Sequence, residues 1–186
     1  MIDDKKLICA FIYSAYESGY CGLMLDLQTR EKHKGLYRKY VETGKYFPQK
    51  EIEETQKEMM DSIQNTGIRD YIYGRHFKIV KERIEEETNQ DFLSVIKSPL
   101  ILNSAINCPI NYYKIKTISG DEIVGENLIY KIEKRLRILN GLEKPNIGEI
   151  VSGHWNFMLE VVSDWQDLTR YLILAKEYYG ILKKQK

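Results

Sequence analysis

The sequence predicts an α+β protein: a helical N-terminal region, then a small antiparallel β-barrel of the OB or SH3 kind, then an amphipathic C-terminal helix. Apolar residues recur every three or four positions through much of the first region. Short β-forming runs separated by turn signals follow the Ser98-Pro99 boundary. A single apolar stripe then marks the last helix. We place the mainly helical region at residues 1–104 and the barrel with its helix at residues 105–186.

Glycines divide the N-terminal region into predicted helices. The first ends at Gly19, and a second is expected from about Leu23 to Val41, before a stop at Gly44. Pro48 suits the first turn of a third helix. Residues 68–97 are harder to assign: the aromatic and β-branched positions from Tyr71 to Val80 could be strand or helix, and Lys81 to Gln90 is charged enough for an exposed helix face.

The second region reads as strands. β-forming runs cover residues 112–118, 123–132, 136–139 and 150–162. Turn signals at Ser119-Gly120-Asp121 and elsewhere separate them. The last helix begins after a Ser163…Gln166 capping box. Its apolar stripe consists of Leu168, Tyr171, Leu172, Ala175, Tyr178, Tyr179 and Leu182.

Composition restricts the function classes. Lys and Arg number 28 against 27 Asp and Glu, and a net charge of +1 provides no long-range field to attract nucleic acid. No run approaches the roughly 20 apolar residues of a membrane helix, and the N-terminus is a poor signal peptide. The 3 cysteines are odd in number and widely spaced, which indicates reduced thiols. We expect a cytoplasmic protein that binds neither nucleic acid nor membrane.

Catalytic motifs are not apparent in the sequence. The 3 cysteines and 3 histidines match no zinc-site spacing. There is no Gly-rich phosphate loop, and Gly153-His154-Trp155 is not a nucleophile elbow. We therefore do not expect an enzyme.

A spaced pattern of residues begins at Cys108, at the start of the predicted first strand. Lys114 and Ile115 follow six and seven residues later, and a Gly-Asp turn follows at residues 119–121. Residues 148–158 then form a strand with a central histidine, His154.

The pattern continues past His154, with Phe157 in register and the helix cap Ser163 nine residues after the histidine. In this order and spacing, residues 106–182 resemble the HypC/HupF family of hydrogenase assembly chaperones. The chain departs from that family because Cys108 is internal, Tyr112 replaces a proline, and a long helical region precedes the barrel. The departures bear on the metal role more than on the fold.

The resemblance implies a function. In the family the cysteine and histidine hold an iron that carries cyanide and carbon monoxide ligands. The barrel delivers it, with a HypD-like scaffold protein, to the hydrogenase large-subunit precursor. A soft thiolate suits low-spin iron, and imidazole is compatible with it. Cys108 and His154 are therefore the expected cofactor and metal residues of an accessory protein for metalloenzyme maturation, with [NiFe]-hydrogenase as client.

Other residues and functions stay open. Cys21, between two glycines, and His76 are possible additional ligands, although a turn cysteine and a hydrogen-bonded structural histidine are the simpler interpretations. Cys9 is expected in the core, and His33, between two lysines, in solvent. Cys108 and His154 could equally be core residues of the barrel. The alternative function is a metal-free protein-interaction module, and a single-strand nucleic-acid-binding barrel is a weaker third.

Overall fold

The computed structural model of the chain describes residues 2–18 and 26–183. N-terminal helices lead into a closed five-stranded β-barrel, and a C-terminal helix follows. The predicted α+β architecture is therefore confirmed.

Among the described residues before the barrel every regular element is helical, including the segment that the sequence left ambiguous. Residues 70–88 form a π-helical segment that runs directly into an α-helix. The helices are α1 (Asp4–Glu17), α2 (Leu27–Thr43), α3 (Gln49–Thr55), α4 (Lys57–Thr66), the π-helical segment (Asp70–Arg75), α5 (His76–Thr88), α6 (Phe92–Val95), α7 (Pro99–Asn107) and α8 (Trp165–Lys183).

Capping residues explain several helix ends. The Asp3 carboxylate accepts a hydrogen bond from the Lys5 amide at the start of α1. Gly44 ends α2 in the left-handed region at φ 65°, as the sequence predicts. At α8 the side chain that caps the first turn belongs to Asp164, which accepts from the Gln166 amide at 2.8 Å, one residue after the predicted cap.

The barrel closes in the order β1-β2-β3-β5-β4. Its strands are β1 (Asn111–Ser119), β2 (Glu122–Asn127), β3 (Glu133–Arg137), β4 (Ile150–His154) and β5 (Phe157–Val161). All neighbours are antiparallel except β3 and β5, which pair in parallel at Arg137 and Phe157. The barrel is thus mixed rather than purely antiparallel. The loop after β3 crosses to β4, and the tight β4–β5 hairpin returns the chain beside β3 in the same direction.

The first helix lies inside the molecule. Every residue from Leu7 to Tyr16 is buried, and α1 shares one core cluster with barrel residues such as Ile115 and Met158. A helix buried all round needs apolar residues on every face, which this segment supplies. A smaller cluster around Phe92 and Tyr179 joins α5, α6 and α7 to the last helix.

An ion pair connects the helical segment to the barrel wall. Both guanidinium Nη atoms of Arg69 donate to the Glu160 carboxylate, at 2.7 and 3.1 Å, and the Tyr73 hydroxyl donates to the same group at 2.7 Å. The Glu160 side chain on β5 is only 6% exposed. A buried carboxylate with three donors is well satisfied, so this contact fixes the π-helical segment against the barrel.

No helix in the described ranges combines the length and the apolar character needed to cross a membrane.

Candidate functional site

A cavity lies between the buried helix α1, the helices α4 and α5, the end of α7, and the β4–β5 hairpin. Its volume is about 180 Å³. Cys108 and His154 both contribute to its wall, together with Trp155. The structure thus brings the two predicted site residues to one cavity from separate elements. Its wall also includes apolar side chains of three helices, among them Phe11, Met59 and Val80.

His154 ends strand β4 and is held by α1. Its side chain is 1% exposed, and its ring stacks on Phe11 with centroids 4.5 Å apart. Its Nδ1 lies 2.7 Å from the Ser14 hydroxyl. These contacts give the imidazole one orientation at the cavity wall.

The Ser14 hydroxyl also decides which tautomer His154 adopts. Its single proton is donated to the Phe11 carbonyl oxygen, 2.7 Å away. Only a proton on Nδ1 of His154 lets the hydroxyl oxygen accept from the ring while it donates to Phe11, and we assign the tautomer on that ground. In the neutral ring the electron pair then lies on Nε2. Histidines that bind metals commonly donate their other ring nitrogen to such a partner.

The hairpin turn joins the histidine to the cysteine segment. Trp155 has φ 53°, an unusual value for a bulky residue, so the surrounding contacts must hold it there. Its amide donates to the Asn107 carbonyl at 3.2 Å. Asn107 is the last residue of α7 and directly precedes Cys108. The turn after His154 is therefore attached to the end of the helix that carries Cys108.

Cys108 caps α7 rather than starting a strand. Its amide donates to the Ser104 carbonyl at 2.9 Å, and β1 begins only at Asn111. The expectation that it opens the first strand is thus wrong, because the apolar residues before it continue a helix that Pro99 starts. The thiol is half-buried.

Of the other cysteines and histidines considered in the sequence, the structure describes some and leaves others outside its described residues. Cys21 lies outside the described residues, and so does the side chain of His76 at the start of α5. Cys9 is fully buried in α1 as expected, and burial strongly raises the pKa of its thiol.

His33 is buried, with 5% of its surface exposed, so the expectation of a solvated residue is wrong. The face of α2 that carries it packs on α1, where the ring of Tyr16 lies 6.4 Å away. The ring of Tyr37, one turn further along α2, lies 6.5 Å away. Burial lowers the pKa of His33, and the charge of Lys32 lowers it further.

Metal-binding capacity in this cavity rests on two donors. Across the described ranges no three His, Cys, Asp or Glu side chains cluster closely enough to hold a metal ion. A bare ion such as Zn²⁺ normally takes four ligands. Cys108 and His154 fit better a metal fragment that brings most of its own ligands, since they supply one soft and one borderline donor.

Sequence reasoning missed two residues of the site, Ser14 and Trp155. A weak signal for Ser14 exists, because it is the one small polar residue in the apolar run from Leu7 to Ala15 and its hydroxyl must find a partner once that run is buried. Trp155 carries no such signal, since its role depends on the backbone of the turn.

Comparisons of the chain with protein-family models, with curated proteins and with solved structures find no match. The fold and the cavity define the class, an α+β protein with a closed mixed barrel and a cysteine–histidine cavity under its helices. The resemblance to the HypC/HupF family rests on the residues in its pattern alone.

Proposed function

We propose that this chain is an accessory protein that acts by binding, with the Cys108–His154 cavity as the site that receives a group of its client or cargo. One observation carries the proposal: two residues far apart in sequence, one at the C-cap of α7 and one at the end of β4, line the same cavity. Concave, largely apolar sites with a few convergent polar groups are the usual form of binding pockets.

The specific form of the proposal is metalloenzyme maturation. Its client would be the precursor of a [NiFe]-hydrogenase large subunit and its partner a HypD-like scaffold, as the family resemblance implies. An iron fragment with cyanide and carbon monoxide ligands would supply a low-spin metal centre for transfer. What supports it is the donor set, since a thiol residue and an imidazole residue are both among those that line the cavity.

Cys108, His154 and Ser14 would each have a different role in binding the iron fragment. Cys108 would provide the soft donor, and its half-buried position allows transfer to a partner. His154 would provide Nε2, because Ser14 keeps the proton on Nδ1. Ser14 is therefore a positioning residue.

A metal-free interaction module is the second candidate, and the character of the cavity wall favours it. Phe11 stacks on the ring of His154, and Met59 and Val80 add apolar surface. Such a wall suits an apolar side chain of a client without any metal. In this form Cys108 and His154 contribute shape rather than ligation.

The test is anaerobic purification of the full chain from cells, followed by measurement of iron, of infrared bands of CN and CO, and of co-purified hydrogenase precursor. Maturation predicts all three with the unchanged chain and loss of the iron with Cys108→Ala. The matched control is Ser104→Ala, which changes the same cavity wall without removing a soft donor.

The outcomes separate the two candidates. Iron and its infrared bands retained by Cys108→Ala would contradict the ligand role of that residue. A client that co-purifies equally with the unchanged chain and Cys108→Ala, without metal in either, would support the metal-free module. Failure to capture any client or cargo would contradict both.

A further inference from the structure

The cavity has the size of a small organic group. An apolar cavity of about 150 Å³ in another protein binds benzene, and this cavity measures about 180 Å³. Met59 and Val80, both buried, form part of the wall, and Ile84 lies on the same side. The interior therefore suits one aromatic ring or a branched aliphatic chain.

The rim of the cavity carries one positive and one negative side chain, Arg83 and Glu87, both exposed on α5. They are four residues apart, a spacing at which opposite charges usually pair. Two other pairs on α5 at this spacing do so, Lys78 with Glu82 at 3.5 Å and Lys81 with Glu85 at 3.7 Å.

Arg83 and Glu87 differ from those neighbours. Among the residues that the structure describes, neither forms an ion pair within 4.0 Å. Each can therefore meet a ligand charge without first breaking a contact. An occupant with an anionic group alone would be repelled by Glu87, and one with a cationic group alone by Arg83. A zwitterion satisfies both.

We propose that the cavity binds a free α-amino acid with an apolar side chain, with its carboxylate on Arg83, its ammonium group on Glu87 and its side chain inside. The regulatory part of the proposal rests on the cavity being the site of the proposed function. It makes the amino acid a regulator, since an occupied cavity would block access to Cys108 and His154.

The experiment is calorimetric titration of the full chain with L-phenylalanine, 3-phenylpropionate, 2-phenylethylamine and toluene. These probes share the ring and differ in the charged groups. L-phenylalanine is expected to bind best. The probes that lack one charge are expected to bind about three- to tenfold more weakly, the range for charged hydrogen bonds at a partly exposed site.

Two variants test which side chain binds which charged group of the amino acid. Arg83→Gln should remove the advantage of L-phenylalanine over 2-phenylethylamine, and Glu87→Gln its advantage over 3-phenylpropionate. Lys78→Gln is the matched control, because it changes a charge on the same helix away from the cavity, and it should change neither preference. Thermal unfolding of each variant checks that the fold is intact.

The results separate this inference from the proposed function. If toluene binds but L-phenylalanine binds no better, the amino-acid proposal is overturned and the cavity remains a binding site. The amino-acid proposal is also overturned if L-phenylalanine binds both variants as tightly as it binds the unchanged chain, or if none of the four probes binds. Binding of L-phenylalanine with no captured client or cargo would instead support the amino-acid site and contradict the accessory role.

Discussion

The hydroxyl oxygen of Ser14 on helix α1 lies 2.7 Å from Nδ1 of His154 on strand β4. This contact joins the helical region to the barrel at the wall of the cavity. Because Ser14 donates its own proton to the Phe11 carbonyl, it accepts from the imidazole. One small residue thereby fixes both the orientation of the ring and the nitrogen that carries its electron pair.

Replacement of this serine should destabilise the protein. Ser14→Ala leaves a buried imidazole N–H without its acceptor, which costs about 1–3 kcal/mol of the free energy of unfolding. Urea denaturation measures this loss, and ¹⁵N chemical shifts of His154 show whether the proton stays on Nδ1. Ser94→Ala, at an exposed position in α6, is the control. A loss within about 0.5 kcal/mol, the range of ordinary surface changes, would contradict the role given to Ser14.

The two described cysteines should differ in reactivity. Cys108 is half-buried at the cavity, whereas Cys9 is fully buried in α1 and burial strongly raises the pKa of its thiol. Since the thiolate is the reacting species, iodoacetamide should label Cys108 first and Cys9 only after unfolding. Peptide mass spectrometry of the folded and urea-treated protein measures both sites. Labelling of Cys9 as fast as Cys108 in the folded protein would contradict this difference, and no labelling of Cys108 before unfolding would show that the cavity is closed to reagents.

The ion pair between Arg69 and Glu160 should contribute to stability. Arg69→Ala leaves the carboxylate, 6% exposed, without its counter-charge. We expect a loss of about 3 kcal/mol, at the low end for a broken buried pair because Arg69 is itself 25% exposed. The control is Arg170→Ala, which breaks a pair with Asp70 whose arginine is 63% exposed, and it should cost below about 1 kcal/mol. Equal losses in denaturant titrations would refute this distinction.

Acid should weaken the packing of α1 on α2 through His33. Burial lowers the pKa of His33 in the folded protein below the usual value of 6.5 that it has in the unfolded chain. Between the folded and the unfolded pKa, the unfolded chain therefore binds the proton more readily. The free energy of unfolding contributed by this residue is therefore full above about pH 6.5 and falls as the pH drops below it. Denaturant titrations from pH 7.5 to 5.5 measure the slope. His33→Phe should flatten it, and an unchanged slope in the variant would rule out His33 as the cause.

Much of the architecture could be predicted from local patterns. The helix α8, which its apolar stripe predicts, and the stop at Gly44 depend on neighbouring residues, and both appear as expected. The parallel contact of Arg137 with Phe157 could not be predicted, because barrel closure depends on how distant strands meet. The apolar residues around Tyr71 match the period of a strand as well as that of a helix, so the sequence pattern alone does not predict the helical structure that they adopt against the barrel.

The site shows the same division. The spacing of residues about Cys108 and His154 identified the two side chains that the cavity brings together. The prediction that Cys108 starts a strand was wrong, because the helix that begins at Pro99 extends as far as Cys108. His33 was expected in solvent because two lysines flank it, yet the face of α2 that carries it packs on α1. Burial of this kind depends on tertiary contacts that flanking residues do not reveal.

Native mass spectrometry of the full chain, isolated anaerobically from cells, tests most directly whether the Cys108–His154 cavity is a binding site. The intact protein should carry an additional mass, and its value identifies the cargo or client group. Cys108→Ala combined with His154→Gln should lose that mass while thermal unfolding shows a folded protein. The same additional mass on the double variant, or none on the unchanged chain, would contradict a binding function for the cavity.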